Sequence, residues 1–314
     1  MYFMGFIMLI AGFTLLFFSG DWLVKSSIQI ARYFRISTLV VGITVVAFGT
    51  SAPELIVSLK AVFDGVPDIS VGNVVGSNIA NIALVLGTVS IILPIKVKKK
   101  SIFFDWAVMM IASLLFYFFA QNNKLQFFEG VIFLVFISLY LIFSVYSSRR
   151  QMGKSGELIE KPSMKIIWAV ALLVLAATGL YFGSKLLVEG AVIIAKGFNV
   201  SERVIGISVV AFGTSVPELA TSVMAAVKKE TDISIGNIIG SNIFNLLAIL
   251  GVTSVLKTIN ISQVLISVDI WWMMGISALL MLALLPLKKG HISRWKGVLF
   301  VAIYAYYMIL LFTH

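Results

Sequence analysis

Apolar residues dominate this chain in long runs, broken at regular intervals by short clusters of Gly, Pro, Asn and charged residues. Several runs reach the roughly 20 residues that a helix needs to cross a bilayer. The pattern predicts helices at about 2–31, 37–63, 69–93, 102–120, 126–146, 164–195, 201–227, 233–256, 265–286 and 295–312. The fold class expected is therefore an all-α polytopic membrane protein with ten transmembrane helices. The first run, "MYFMGFIMLIAGFTLLFFSGD", has no positive leader and no small-residue cleavage site after it. It reads as a retained membrane helix rather than a secretory signal.

A second pattern lies on top of the first. "VGITVVAFGTSAPEL" (41–55) returns as "IGISVVAFGTSVPEL" (205–219), and "DISVGNVVGSNIANI" (68–82) returns as "DISIGNIIGSNIFNL" (232–246). Both pairs are offset by 164 residues, so the spacing between the two motifs is kept as well. This is an internal duplication. The first five-helix repeat is expected over 1–146, with its motif region at 37–93, and the second over 164–314, with its motif region at 201–256. A short linker, 147–163, joins them. Five helices per copy is an odd number, so the second copy enters the membrane from the opposite side. Inverted repeats of this kind hold substrate near the bilayer midplane where the halves meet.

Charge sharpens the orientation. The composition is 60% hydrophobic with only 12% charged residues and a mean hydropathy of +1.05, yet the net charge is +10. Seventeen of the 24 Lys and Arg fall in loops of one parity, among them Arg32, Lys98, Arg149, Lys228 and Lys289. Only Lys60, Lys124, Lys196, Arg203 and Lys257 fall in the other. By the positive-inside tendency the first set is cytoplasmic. Both termini are then outside, 147–163 is cytoplasmic, and the chain is a multi-pass protein of the plasma membrane. The basic charge is explained by topology, and no nucleic-acid partner is expected. Cys is absent and the two His fall at 291 and 314, so thiolate, redox and intramembrane imidazole chemistry are excluded.

The motifs carry the chemistry. Glu54 and Glu218 lie at membrane depth, where a carboxylate is costly and marks a functional site by default. Pro53 has no N–H, so the carbonyl of Gly49 loses its helical donor and the helix is expected to break there. Ala47, Thr50, Ser51, Glu54 and Ser58 share one helical face, and Ala211, Thr214, Ser215, Glu218 and Ser222 repeat it. In the second motif Asn73, Ser77 and Asn81 form a polar stripe, repeated by Asn237, Ser241 and Asn245. Gly72 with Gly76, and Gly236 with Gly240, are small-xxx-small pairs suited to close helix crossing. Four such helices crossing at the midplane would surround one point with oxygen, which suits hard cations: Ca²⁺ takes six to eight oxygen ligands. Two Glu neutralise one Ca²⁺, and Na⁺ fits the neutral hydroxyl, amide and carbonyl positions.

The other charges have a structural reading. Asp21 with Lys25 and Lys185 with Glu189 are i,i+4 pairs, while Asp68, Asp105, Glu129, Asp232 and Asp269 are expected at water-accessible boundaries. Trp106, Trp168, Trp271, Trp272 and Trp295 are expected at the membrane interface.

"GTSAPEL" with "GSNIANI", repeated as "GTSVPEL" with "GSNIFNL", resembles the two alpha-repeats of the sodium/calcium exchanger family of the cation/calcium antiporter superfamily. The resemblance implies a transporter rather than an enzyme, with Na⁺ and Ca²⁺ as transported ions and no resident cofactor. It implies alternating access with Na⁺ moving one way and Ca²⁺ the other. By motif position Glu54 and Glu218 would be the central Ca²⁺ ligands, shared with neighbouring Na⁺ sites. Thr50, Ser51, Thr214, Ser215, the carbonyls of Ala47 and Ala211, and Ser77 and Ser241 would complete the coordination, with Asn81 and Asn245 flanking it. Asn73 and Asn237 are secondary candidates, and a monomer in the lipid bilayer is the expected unit. Many relatives carry Asp where this chain has Asn245, which argues against K⁺ cotransport. Thr-Ser ahead of the glutamate favours Na⁺ over H⁺, leaving a Ca²⁺/H⁺ antiporter with the two Glu as proton carriers as the alternative, and a channel as a third class.

Overall fold

The computed structural model describes residues 2–96, 99–155, 161–198, 211–284 and 291–313. The chain runs α1 (Tyr2–Phe34), α2 (Thr38–Thr50), α3 (Ala52–Phe63), α4 (Pro67–Ile92), α5 (Lys99–Ala120) and α6 (Phe127–Ser155). The second half follows with α7 (Ile166–Gly197), α8 (Ala211–Thr214), α9 (Val216–Val227), α10 (Thr231–Leu256), α11 (Leu265–Ala283) and α12 (Arg294–Thr313). Among the described residues eight helices are long and apolar enough to cross a membrane, and α2 with α3 makes a ninth, bent span. The expected 201–227 helix is represented by α8 and α9, because 199–210 lie outside the described residues. Helix α6 continues to Ser155, beyond the expected end near 146.

Four two-residue strands, absent from the sequence reading, clip the helix ends together. β1 (Ile95–Lys96) pairs antiparallel with β4 (His291–Ile292), and β2 (Lys124–Leu125) pairs with β3 (Ile259–Asn260). The first ribbon joins two basic loops and the second joins two loops of the opposite parity. Each ribbon therefore ties a loop of the first half to a loop of the second.

The core is built on α4 and α10, the most enclosed spans, 72% and 83% buried in their most apolar windows. Helices α1 and α7 are 28% and 22% buried in theirs and expose Phe3, Ile10, Phe13, Phe17, Val174 and Phe182, the surface expected against lipid. These two long helices pack on each other through glycines. A Cβ on Gly12 would lie 2.9 Å from the Gly183 carbonyl oxygen, and one on Gly190 would lie 2.8 Å from that of Gly5.

The small-residue pair of the second repeat sits at the central crossing. A Cβ on Gly240 would meet the Ile43 carbonyl oxygen at 2.5 Å, and one on Gly236 would meet that of Leu39 at 2.6 Å. The equivalent partners of Gly72 and Gly76, residues 203–210, are outside the described residues. Two expectations about charge are corrected. Asp105 and Asp269 are 4% and 8% exposed rather than at wet boundaries, and their carboxylates accept from Tyr140 and Tyr307 at 2.9 and 3.0 Å. A buried carboxylate needs such a donor. Trp106 Nε1 donates to the Ser277 carbonyl at 2.7 Å, which ties α5 to α11.

Because backbone lies against Gly240, Gly240→Val should destabilise the folded protein by about 2 kcal/mol or more. Thermal unfolding in detergent reads this directly, and an unchanged Tm would contradict the close crossing.

Candidate functional site

The polar motifs sit at interruptions of their helices. Ser51, between α2 and α3, has φ −87° and ψ 3°, and the two helices bend by 45° there. Ser215, between α8 and α9, repeats the conformation at φ −89° and ψ 1°. Pro53 and Pro217 lie at the first positions of the helices that follow, where the missing N–H costs no intrahelical bond. The break predicted from Pro53 is thus a hinge, and it turns Glu54 and Glu218 into the first turns of α3 and α9. Partial positive charge from unpaired N–H groups favours an acidic side chain there.

The second motif has its own irregularity. Asn81 opens a π-helical turn, Asn81–Leu86, and Asn245 opens another, Asn245–Ile249. Extra residues in a helical turn loosen the backbone ladder and are frequent at functional sites. A third π turn, Gly42–Val46, lies in α2 where α10 crosses it.

Between these four elements the polar side chains meet, all fully or nearly buried except Asn73 and Thr214, which are half-buried. Thr50 Oγ1 donates to Asn237 Oδ1 at 3.0 Å and lies 3.3 Å from Ser241 Oγ. Its symmetry counterpart Thr214 lies 3.4 Å from Ser77 Oγ. Asn237 Nδ2 donates to Ser222 Oγ at 3.0 Å, and Asn73 Nδ2 to Ser58 Oγ at 3.2 Å. Asn73 Nδ2 also reaches the Glu54 carbonyl at 3.3 Å. The Ala47 carbonyl accepts from Ser51 N at 2.9 Å and Thr50 Oγ1 at 3.3 Å. Its counterpart Ala211 begins α8.

The carboxylates are the exception to this pairing. Ser51 Oγ donates to Glu218 Oε1 at 3.2 Å, which links the hinge of one repeat to the acid of the other. Glu218 Oε2 and both oxygens of Glu54 are buried with no hydrogen-bond partner, as are Ser215 Oγ, both polar atoms of Asn81 and Asn245 Oδ1. Glu54 and Glu218 lie close enough to feel each other's charge. Buried acceptors without donors are rare in folded proteins because each costs its lost solvation. The two carboxylates lie close together, and the lone pairs of their free oxygens suit a hard cation. No group of three or more His, Cys, Asp or Glu comes together among the described residues, so two Glu and neutral oxygens are the available donors.

Residues 4–147 and 168–313 match the model of the family described as sodium/calcium exchanger protein. The chain belongs to the sodium/calcium exchanger family. It is 38% identical to the putative antiporter CaxA of Alkalimonas amylolytica, over 98% of each chain. It is 30% identical to the sodium/calcium exchanger MaX1 of Methanosarcina acetivorans, again over 98% of each. The sodium-calcium exchanger NCX_Mj, solved after soaking with zero Na⁺ and Ca²⁺, superposes with a TM-score of 0.84 at 34% identity, covering 99% of this chain and 100% of that one. The same exchanger soaked with 10 mM Na⁺ and 10 mM Sr²⁺ superposes at 0.82, with 35% identity and 97% of each chain covered.

Two polar residues at the centre escaped the sequence reading. Asn78 and its counterpart Asn242 are buried between the repeats. Asn78 Nδ2 donates to the Asn242 carbonyl at 3.2 Å, and its Oδ1 accepts from Asn245 Nδ2 at 3.0 Å. They stand next to the serines of the stripe, off its i,i+4 spacing, and only the recurrence of Asn at one offset signalled them.

Asn237, bonded to both Thr50 and Ser222, is engaged on its oxygen as well as its nitrogen. Asn237→Ala should therefore lower stability by about 1–3 kcal/mol, since it strips partners from buried hydroxyls. A thermal unfolding curve that coincides with wild type would show that these bonds contribute nothing.

Proposed function

We propose that the chain is a Na⁺/Ca²⁺ antiporter working by alternating access, with the ions held at the convergence of Glu54, Glu218 and the surrounding oxygens. The observation that carries this reading is the pair of fully buried carboxylates, one per repeat, with no basic partner among the described residues and three of four oxygens without a well-formed hydrogen bond. Two like charges in a dry core stay ionised only with a counter-charge. A transported cation supplies it. One Ca²⁺ balances both carboxylates. Na⁺ divides among them and the hydroxyls of Thr50, Ser51, Ser77, Thr214, Ser215 and Ser241, with the carbonyls of Ala47 and Ala211 and the amides of Asn81 and Asn245 at the margins. Asn73 and Asn237 brace this set from behind, because their amides hold Ser58 and Ser222.

Competition for one pair of carboxylates couples the two ions. Ca²⁺ and Na⁺ cannot both neutralise the same charges, so each expels the other without any relay. Access alternates as α1 and α7, glycine-packed on each other, slide as a pair past the core of α2–α4 and α8–α10. The unit is a monomer of two repeats, 1–146 and 164–314, in the plasma membrane. Its termini face outward, and the linker 147–163, whose start prolongs α6, lies in the cytoplasm. The ribbon of β1 with β4 then lies on the cytoplasmic side, and that of β2 with β3 outside.

In sealed vesicles loaded with Na⁺, ⁴⁵Ca²⁺ uptake should require an outward Na⁺ gradient. Uptake driven by a pH gradient without Na⁺ would instead assign a Ca²⁺/H⁺ antiporter, and flux with no countertransport a channel. Glu54→Gln and Glu218→Gln should each reduce exchange to background, and wild-type flux in either would remove the two-carboxylate site. Binding should also register as stability: Ca²⁺ at 100 times its Kd raises unfolding free energy by about 2.7 kcal/mol. Both Gln variants should lose that gain in thermal unfolding with added Ca²⁺, and a full shift in either would show that binding lies elsewhere.

A further inference from the structure

Asn245 places an amide where an oxygen is wanted, and an amide has a wrong side. One face offers a carbonyl oxygen that attracts a cation, the other an NH₂ that repels it. Which face turns toward the site depends on what holds the other. The structure holds it through Asn78.

The chain of constraint begins at a group that cannot be reversed. The backbone carbonyl of Asn242 only accepts, so the neighbouring atom of Asn78, 3.2 Å away, is the nitrogen. The second N–H of that nitrogen points to Met273 Sδ at 3.7 Å. With both donors spent, Asn78 presents its oxygen on the opposite side, and only a donor fits there. Asn245 supplies Nδ2 at 3.0 Å. Its Oδ1 is therefore turned the other way, buried and without a protein partner. The π turn that carries Asn245 packs against α3, the helix of Glu54.

We infer that Asn78 is a positioning residue for ion binding: it orients Asn245 so that its carbonyl oxygen, and not its NH₂, faces the transported cation. The inference rests on the proposed location of the ion site. The device is built on one side only. Asn242, which occupies the position of Asn78 in the other repeat, has neither side-chain atom bonded, and Asn81, the counterpart of Asn245, has neither bonded as well. The two repeats thus present the same residue types with one amide locked and the other free to turn. An aspartate at this position would need no such lock, because both of its terminal atoms are oxygens. It would instead set a carboxylate against the fixed oxygen of Asn78.

A double-mutant cycle separates orientation from simple support. Asn78→Ala and the closer-sized Asn78→Leu are each made with Asn245 retained and with Asn245→Asp. Ca²⁺ affinity is read by calorimetry on the purified protein, and KM and kcat by ⁴⁵Ca²⁺ flux. With Asn245 retained, loss of Asn78 should weaken Ca²⁺ binding and raise KM about tenfold while kcat changes by about twofold or less. In the Asn245→Asp background, the same change should shift affinity by about twofold or less, or improve it. Equal losses in both backgrounds would make Asn78 a structural support only and overturn the inference. So would unchanged affinity on removing Asn78 beside Asn245, or an Asn245→Asp variant that binds no Ca²⁺. If the Leu variant alone stays folded, the cycle is read on that pair. Glu54→Gln runs in parallel: wild-type Ca²⁺ binding there would defeat the site itself, whereas lost binding there with equal losses around the cycle defeats only the role of Asn78.

Discussion

Two carboxylates sit at the centre of this protein with no basic side chain to answer them among the described residues, and most of the surrounding structure serves that constraint. The ion pairs present lie elsewhere: Lys25 and Lys228 meet Asp21 on α1, and Lys185 meets Glu189 on α7. Removing an ion from water costs several kcal/mol even after relaxation. The protein meets part of that cost with geometry. Prolines at the hinges open α3 and α9 so that each Glu lies in a first turn, beside backbone N–H groups, and Ser51 reaches across to Glu218. The remainder suits a partner that comes and goes, the transported cation proposed above. A site fully satisfied by its own side chains would hold nothing and move nothing.

The hydroxyls and amides around the acids behave differently from the acids themselves. Thr50 with Asn237 and Ser222, and Asn73 with Ser58, form bonded sets, the first of which crosses the repeat interface. They make a rigid frame from groups whose isolated burial would be expensive. Glycines let the frame close: Gly236 and Gly240 bring the α10 backbone against α2 at the π turn Gly42–Val46. The bonded frame and the sparse burial of α1 and α7 divide the molecule into an enclosed polar centre and long helices exposed along their apolar faces. The pair of Lys228 and Asp21 bridges those parts near one membrane face.

Much of this was legible in the chain because the repeat wrote it twice. A fixed offset of 164 residues exposed the motifs, the odd helix count gave the inversion, and Pro53 announced the break before Glu54. Other features carried no local signal. A π turn has no periodicity of its own, so Asn81–Leu86 and Asn245–Ile249 read as ordinary helix. Asp105 and Asp269 looked like boundary residues because their partners Tyr140 and Tyr307 are 35 and 38 residues away on other helices. Asn78 hid beside the stripe that matched helical spacing, since an i,i+4 rule selects one face and a bridge between repeats uses another.

Symmetry between the repeats suits a site that faces two solutions in turn, and departures from it are where the proposed site gains its asymmetry. Hinges, prolines, glutamates and π turns recur at matching positions in the two halves. The amide–serine bonds of Asn73 and Asn237 recur too, but two others do not: Ser51 holds Glu218 while the Ser215 hydroxyl has no partner, and Asn78 holds Asn245 while the amides of Asn242 and Asn81 are unpaired. On the proposed site two negative charges balance one Ca²⁺ or two Na⁺, so a neutral residue at 245 would keep the loaded site neutral in either case. On the proposed site any additional Na⁺ gives the loaded core net positive charge, and passing that charge from one solution to the other feels the membrane potential at about 2.3 kcal/mol per 100 mV. Asn245 thus bears on the coupling between ion count and voltage, through the absence of a third carboxylate.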